Sequence, residues 1–227
     1  MKGSYSSFSG ESFLASVELY IWETYCSYGN VNTFTLAELE KLNAGSKFKN
    51  INTNYTFCKV PTLESVIELC QEKEIYIFFD LKNNNNYIIN GLLHFYHKYP
   101  YLYSHSTVCS FDWSLIRKIR TLDNEIMGGL SFQNRLIYKA INFGWLTPFV
   151  KSVVEIFRIV QLYFVCSYTG NSFLLPEIDV ATRSFVSAMT FCDVEPTFWV
   201  ANDVRTKKTI IQLDRAYMSD IYDNIKL

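Results

Sequence analysis

The stretch that most narrows what this chain can fold into is Ile75-Tyr76-Ile77-Phe78-Phe79-Asp80-Leu81-Lys82. Five apolar residues run together and stop at a carboxylate, with an ammonium two residues further on. A short apolar run closed by a turn signal, here Asn83-Asn84-Asn85-Asn86, predicts a strand buried on both faces. Strands of that kind belong to parallel sheets covered by helices. Side chains alternate along a strand, so Asp80 and Lys82 fall on one side of its C-terminal end. That is the end at which α/β sheets and barrels bind ligands. An acid and a base there hold a cation and an anion side by side, as a metal-phosphate site requires. The same two residues also serve as an ordinary ion pair capping a core strand.

The chain around this strand alternates. Phe13, Leu14, Val17, Tyr20 and Ile21 recur at helical spacing and predict an amphipathic helix over Glu11–Tyr25. Thr35-Leu36-Ala37-Glu38 is a capping box that opens a short helix to about Leu42. Pro61-Thr62 starts another, with Leu63, Val66, Ile67 and Cys70 on its buried face. After the central strand come a helix over Tyr87–Tyr99, a strand over Thr107–Phe111, a helix over Asp112–Leu122 and a strand over Glu125–Leu130. Strand, helix and strand repeat at roughly thirty residues, the spacing of parallel βα units. Residues 132–170 interrupt the rhythm and read as a helical insertion. Within it, Phe143–Tyr168 is aromatic and aliphatic, with Lys151, Glu155 and Arg158 as its charges. The uncharged run Ile159–Tyr168 is too short to cross a bilayer, which takes about 20 apolar residues. It predicts a helix lying on a membrane surface or over the domain. The alternation then resumes with a strand at Ser172–Leu175, a helix at Val180–Phe191 and a strand at Thr197–Ala201. A helix at Arg205–Leu213 and a last strand at Tyr217–Asp220 complete it.

The chain of 227 residues is long enough for one full core, and 49 % hydrophobic content argues against disorder. A formal net charge of −1 gives no basic surface for nonspecific nucleic-acid binding. The six cysteines form no CxxC pair, which argues against zinc, and Cys70 and Cys109 read as buried thiols. His94, His97 and His105 are the only histidines, too few for a His-rich metal site. Met1–Gly10 lacks the apolar core of a signal peptide. The expected location is therefore cytoplasmic or peripheral to a membrane.

Six segments, in order over residues 33–225, resemble the glycerophosphodiester phosphodiesterase family, with its animal membrane-associated branch nearest. Thr35-Leu-Ala-Glu-Leu-Glu-Lys-Leu-Asn43 is similar to the family's LT..EL..L segment, and Val60-Pro-Thr-Leu-Glu64 to its IPTLEE helix start. Phe78-Phe-Asp-Leu-Lys82 resembles the strand written F-D-V-K in the animal branch, and Val108-Cys-Ser-Phe111 resembles VVCSF. Phe198-Trp-Val-Ala-Asn202 is similar to WTVN, and Met218-Ser-Asp220 to the closing IITD. The resemblance implies a TIM-type (β/α)8 barrel and metal-assisted hydrolysis of glycerophosphodiesters or lysophospholipids. The products would be glycerol phosphate or lysophosphatidate plus an alcohol. By position it implies Asp80 as a metal ligand, with Mg2+ or Ca2+ as the divalent cation. It likewise implies Lys82 as a phosphate contact and Trp199 as a wall against the glycerol end.

The family's opening H-R-G, its E-x-D pair and its His-Asp pair have no counterpart here, and no histidine precedes His94. The expectation is therefore a divergent segment over residues 1–32 with one helix, followed by a partial, open barrel over residues 33–227 that lacks its first strands. The sheet edges at Ile75–Leu81 and Tyr217–Ser219 would stay unpaired. Two readings follow: a phosphodiesterase, or a non-catalytic relative that binds phosphate ligands, a membrane surface or a full-length partner.

Overall fold

The computed structural model describes residues 15–16, 35–43, 57–133 and 144–219. It divides into two compact units, one of Val17–Ile75 and one of Met1–Ser16 with Tyr76–Leu227.

In the smaller unit, α1 (Leu36–Leu39) starts at the expected capping box. The Thr35 backbone N–H donates to Glu38 Oε2 at 2.7 Å, and the Glu38 N–H donates back to Thr35 Oγ1 at 3.4 Å. The bond from the Thr35 backbone, which favours the ionised form, holds the Glu38 carboxyl below its usual range. Helix α2 (Leu63–Glu72) is capped by Thr62, and its Ile67 and Cys70 are buried.

The larger unit is built on a parallel sheet whose strands follow one another in chain order. They are β1 (Ala15–Ser16), β2 (Ile77–Asp80), β3 (Ser106–Ser110), β4 (Gly128–Phe132), β5 (Phe173–Pro176) and β6 (Glu195–Pro196). Among the described residues no pairing joins β6 to β1, so the sheet is an open α/β barrel type rather than a closed one. Helices α3 (Asn86–Lys98) and α4 (Tyr101–His105) connect β2 to β3, and α5 (Trp113–Leu122) connects β3 to β4. The crossover from β4 to β5 ends in α6 (Thr147–Thr169), which lies inside the stretch expected as an insertion. After β5 come α7 (Arg183–Phe191) and α8 (Val204–Gln212).

Alternation sorts the strand residues onto two faces. Tyr76, Phe78, Cys109 and Leu175 form one buried cluster, against which Met127, Phe173, Trp199 and Met218 pack. Leu130, Leu174 and Phe198 turn the other way, onto Leu162 and Cys166 of α6, Phe185 and Met189 of α7, and Ile210 of α8. Gly129 is small because the first face is crowded: a Cβ there would lie 2.5 Å from Leu175 Cδ1. Helix α6 stops where Gly170 takes φ +70°, a left-handed conformation that closes a helix without a Cβ penalty. Cys70 and Cys109 are buried thiols, as expected.

Three expectations need correction. Within the helix expected over Glu11–Tyr25, Ala15–Ser16 is a strand; the rest of that stretch lies outside the described residues. The reason is non-local: Ala15 pairs with Ile77 and Ser16 with Phe78, satisfying backbone groups at the edge of β2 that local spacing cannot report. The edge at Ile75–Leu81, expected unpaired, is therefore partly covered. The strands expected at Thr197–Ala201 and Tyr217–Asp220, the latter described only to Ser219, reduce to isolated bridges, Glu177 with Trp199 and Phe198 with Tyr217. Extended geometry fails at Val200, whose φ is +62°.

Candidate active site

The C-terminal end of β2 is set by its neighbour. The Leu81 N–H donates to Cys109 O at 2.8 Å, and Ser110 Oγ donates to Leu81 O at 2.7 Å. Asp80 and Lys82 leave the sheet on either side of that anchored residue. Their side chains meet, with Lys82 Nζ 2.5 Å from Asp80 Oδ2. The pair is unequally placed: the Asp80 side chain is 15 % exposed and that of Lys82 41 %. Asp80 Oδ1 is buried and has no hydrogen-bond partner among the described residues. A buried carboxylate oxygen left in that state costs on the order of 1–3 kcal/mol.

The asparagine turn does more than reverse the chain. Asn85 caps α3 by accepting from the Tyr87 N–H at 2.9 Å. Asn84 Nδ2 donates to Asp112 Oδ2 at 3.5 Å, and Lys118 Nζ donates to Asn86 Oδ1 at 2.7 Å. The loop after β2 is thus tied to the start of α5. Asp112, the cap of α5, accepts from the Ser114 hydroxyl at 2.6 Å and the Ser114 N–H at 2.9 Å. The Ser114 hydroxyl bond is the chief reason its carboxyl sits below the usual range.

Trp199 stands at the same end. Its indole N–H donates to Leu175 O at 2.8 Å, and its backbone N–H donates to Pro176 O at 3.1 Å. The next residue, Val200, is β-branched at positive φ, a strained conformation that persists only where its neighbours enforce it. Here the Ala201 N–H donates to Met218 O and the Met218 N–H to Phe198 O.

Phe111 links the three residues that the family resemblance singled out, Asp80, Lys82 and Trp199. Its ring lies under Lys82 Nζ at 5.5 Å and meets the Trp199 ring edge to face at 6.1 Å. Sequence reasoning placed Phe111 at the end of a strand and gave it no part in the site. Its local signals were its place at the end of the Val108–Phe111 segment and its position, one residue past β3 at the ligand-binding end. Glu177, 2 % exposed at the end of β5, was likewise not singled out.

No group of three or more His, Cys, Asp or Glu side chains among the described residues is arranged to hold a metal ion. A divalent cation takes about six oxygen ligands. Asp80 has one buried oxygen without a hydrogen bond, and its other oxygen is paired with Lys82, so the described side chains do not by themselves make a cation site. The histidines lie elsewhere. His94 and His97 are exposed on α3, and His105 stacks on Tyr101 at 4.2 Å immediately before β3, at the opposite end of that strand.

No family model matches the chain. It is 29 % identical over 103 residues to human glycerophosphodiester phosphodiesterase 1, a match covering 45 % of this chain and 31 % of that relative. The mouse protein of the same name is 28 % identical over 103 residues. The chain thus spans about a third of the length of the curated relatives it matches. Among solved structures, a glycerophosphodiester phosphodiesterase from Agrobacterium tumefaciens superposes with a TM-score of 0.61 at 14 % identity, over 86 % of this chain and 72 % of that one. A phosphodiesterase from Oleispira antarctica, solved with the product sn-glycerol-3-phosphate, superposes with a TM-score of 0.57 at 15 % identity, over 87 % and 70 %. These structures share the fold.

Proposed function

We propose, for a chain that belongs to the glycerophosphodiester phosphodiesterase family, that the C-terminal end of its sheet receives the phosphate of a glycerophosphodiester or lysophospholipid and that the protein hydrolyses the ester. Water would form the new P–O bond, the bond to the alcohol would break, and the proton would pass to the leaving oxygen. The observation that carries this reading is the grouping of Lys82, Asp80 and, through Phe111, Trp199. A phosphodiester is an anion, and more charge builds on its oxygens as the bond order changes. A fixed ammonium at that point favours the transition state over the ground state. Trp199 would stand against the glycerol carbons, and Asp80 would hold the Lys82 ammonium and, by the family resemblance, be the carboxylate offered to a Mg2+ or Ca2+ ion. The test is hydrolysis of glycerophosphoinositol or glycerophosphocholine by the chain with Mg2+ or Ca2+, beside its Asp80→Ala variant. Turnover that the variant abolishes is the expected result; turnover unchanged in the variant overturns the assignment.

A second reading has its own support. The three histidines stand away from Asp80, and one carboxylate has no companions arranged for a metal among the described residues. A chain of that kind binds phosphoesters without cleaving them. It predicts saturable binding of sn-glycerol 3-phosphate, lost in Lys82→Ala, with no turnover.

We also propose that α6 rests on a lipid surface. Its outward face carries Phe149, Val153, Ile156, Phe157 and Phe164, all exposed. Its Arg158 is turned inward between the Phe132 and Phe185 rings, at 5.5 and 5.3 Å. Trp145, 88 % exposed, stands just before the helix, and tryptophan favours the headgroup region. No helix of the described residues is long and apolar enough to cross a membrane, so such a contact would lie in the interface. Co-sedimentation with phosphatidylcholine–phosphatidylserine vesicles should be lost in Phe149→Ser/Phe157→Ser. Equal sedimentation of both proteins would rule this surface out.

A further inference from the structure

We infer that Phe111 is a positioning residue for the Lys82 ammonium, holding the cation where a substrate phosphate would meet it. The inference rests on the phosphoester reading above and goes one residue further. A lysine on a flexible four-carbon stem loses rotamer entropy when fixed. At 41 % exposure, Lys82 is not fixed by burial. Asp80 holds it, but from the carboxylate side, with Nζ 2.5 Å away. A carboxylate that alone directs the ammonium also draws it away from an incoming anion. The Phe111 ring supplies a second hold from another direction, with Nζ 5.5 Å from its centroid, inside the range of a cation–π contact. This hold carries no negative charge to repel a phosphate.

The ring is itself well placed to act as a fixed support. At 49 % exposure it is held by its neighbours and its backbone rather than by a core pocket. Its backbone is clamped on both sides by one hydroxyl: Ser110 Oγ donates to Leu81 O at 2.7 Å and accepts from the Asp112 N–H at 3.1 Å. Leu81 lies between Asp80 and Lys82, so the same hydroxyl sets the spacing of ring and ammonium. Trp199, perpendicular to Phe111 at 88°, limits the ring from the far side. Trp199 is in turn held by its indole bond to Leu175 O. The outcome is a row of side chains from three segments in which the cation is the one member with a flexible stem.

The test is a double-mutant cycle on the full chain, read by calorimetric binding of sn-glycerol 3-phosphate. Phe111→Leu should weaken binding about two- to fivefold, the size of a partly exposed cation–π contact, and Phe111→Tyr should restore it. In a Lys82→Ala background, Phe111→Leu should have no further effect, because the ring acts only through the ammonium. An equal loss with and without Lys82 overturns the positioning role and makes Phe111 a direct ligand contact or a structural residue. Lys82→Ala that leaves binding unchanged refutes the phosphate reading instead. The positioning role is then judged by the Lys82 Hε resonances. Loss of their ring-current upfield shift in Phe111→Leu sustains it, and no change overturns it. Thermal unfolding of each variant confirms that the fold is retained.

Discussion

The two ends of the sheet are built to different rules. At the N-terminal end, buried hydroxyls close on partners: Tyr76 with Thr107 at 2.6 Å, and Tyr96 with Ser106 at 2.6 Å. Ser106 passes its own hydrogen to Leu102 O at 2.7 Å. Nearby, Tyr103 donates to Asp123 at 2.7 Å; with burial the larger cause, its hydroxyl pKa is pushed up to about 12. At the C-terminal end, Asp80 keeps a buried oxygen without a hydrogen bond, Val200 is strained, and Phe111 and Lys82 stand part-exposed. The buried hydroxyls of one end are bonded; the carboxylate of the other keeps an oxygen that is not. In α/β sheets that asymmetry separates residues kept for stability from residues kept for ligands. It also means that substitutions at the two ends should fail in different ways.

The largest effect on stability belongs to the N-terminal end. Tyr96 has no exposed surface, and its hydroxyl is bonded. Tyr96→Ala opens a cavity and strands part of that network, so urea unfolding should show a loss of about 3–5 kcal/mol. Phosphoester affinity of the remaining folded protein should be unchanged. The converse is Asp80→Asn. Its ion-pair partner among the described residues is a lysine more than a third exposed, and such pairs contribute at most about 1 kcal/mol. Unfolding should therefore move by no more than that. Turnover, where measured, should fall on the order of 10²-fold or more, because the charge that organises Lys82 is gone. A large stability loss from Asp80→Asn would erase the contrast between the two ends.

How much of this was legible follows from how local each signal is. The strand over Ile77–Asp80 announced itself because burial on both faces leaves a continuous apolar run. The Thr35–Glu38 box was equally readable, since a cap is decided within four residues. The meeting of Asp80 and Lys82 followed from the two-residue period. Phe111 did not, because its role depends on a lysine from another loop and a tryptophan from a third. Ala15–Ser16 pairs with a strand some sixty residues on, and nothing in an Ala-Ser pair reports that. The inward turn of Arg158 was hidden for a related reason: one cation in an apolar helix reads as its wet side until the rings around it are known.

A smaller effect tests whether the strain at Val200 is real. A β-branched residue at φ +62° costs on the order of 1–3 kcal/mol, and asparagine tolerates that region better. Val200→Asn should raise stability by about 1 kcal/mol while loosening Trp199, seen as a red shift or a broadening of its emission in a background without the other tryptophans. A destabilised variant would show that Val200 is held by favourable packing and that the C-terminal end stores no strain there.

The smallest effect is a matter of pH, and it reaches the clamp beside Phe111. The Asp112 carboxyl is held below its ordinary range, first by the Ser114 hydroxyl. A carboxyl depressed in the folded state adds stability at pH values above its unfolded pKa, about 3.9. That contribution is lost as pH falls through the folded value. Asparagine caps a helix about as well as aspartate but does not titrate. Asp112→Asn should therefore match the wild type near pH 7, and the wild type should lose stability relative to it below about pH 4. Asp112→Ala should cost about 1 kcal/mol at neutral pH, because the cap itself is gone. Parallel unfolding curves for wild type and Asp112→Asn down to pH 3 would mean that the hydrogen bonds, and not the charge, hold the start of α5, and with it the backbone from which Phe111 reaches Lys82.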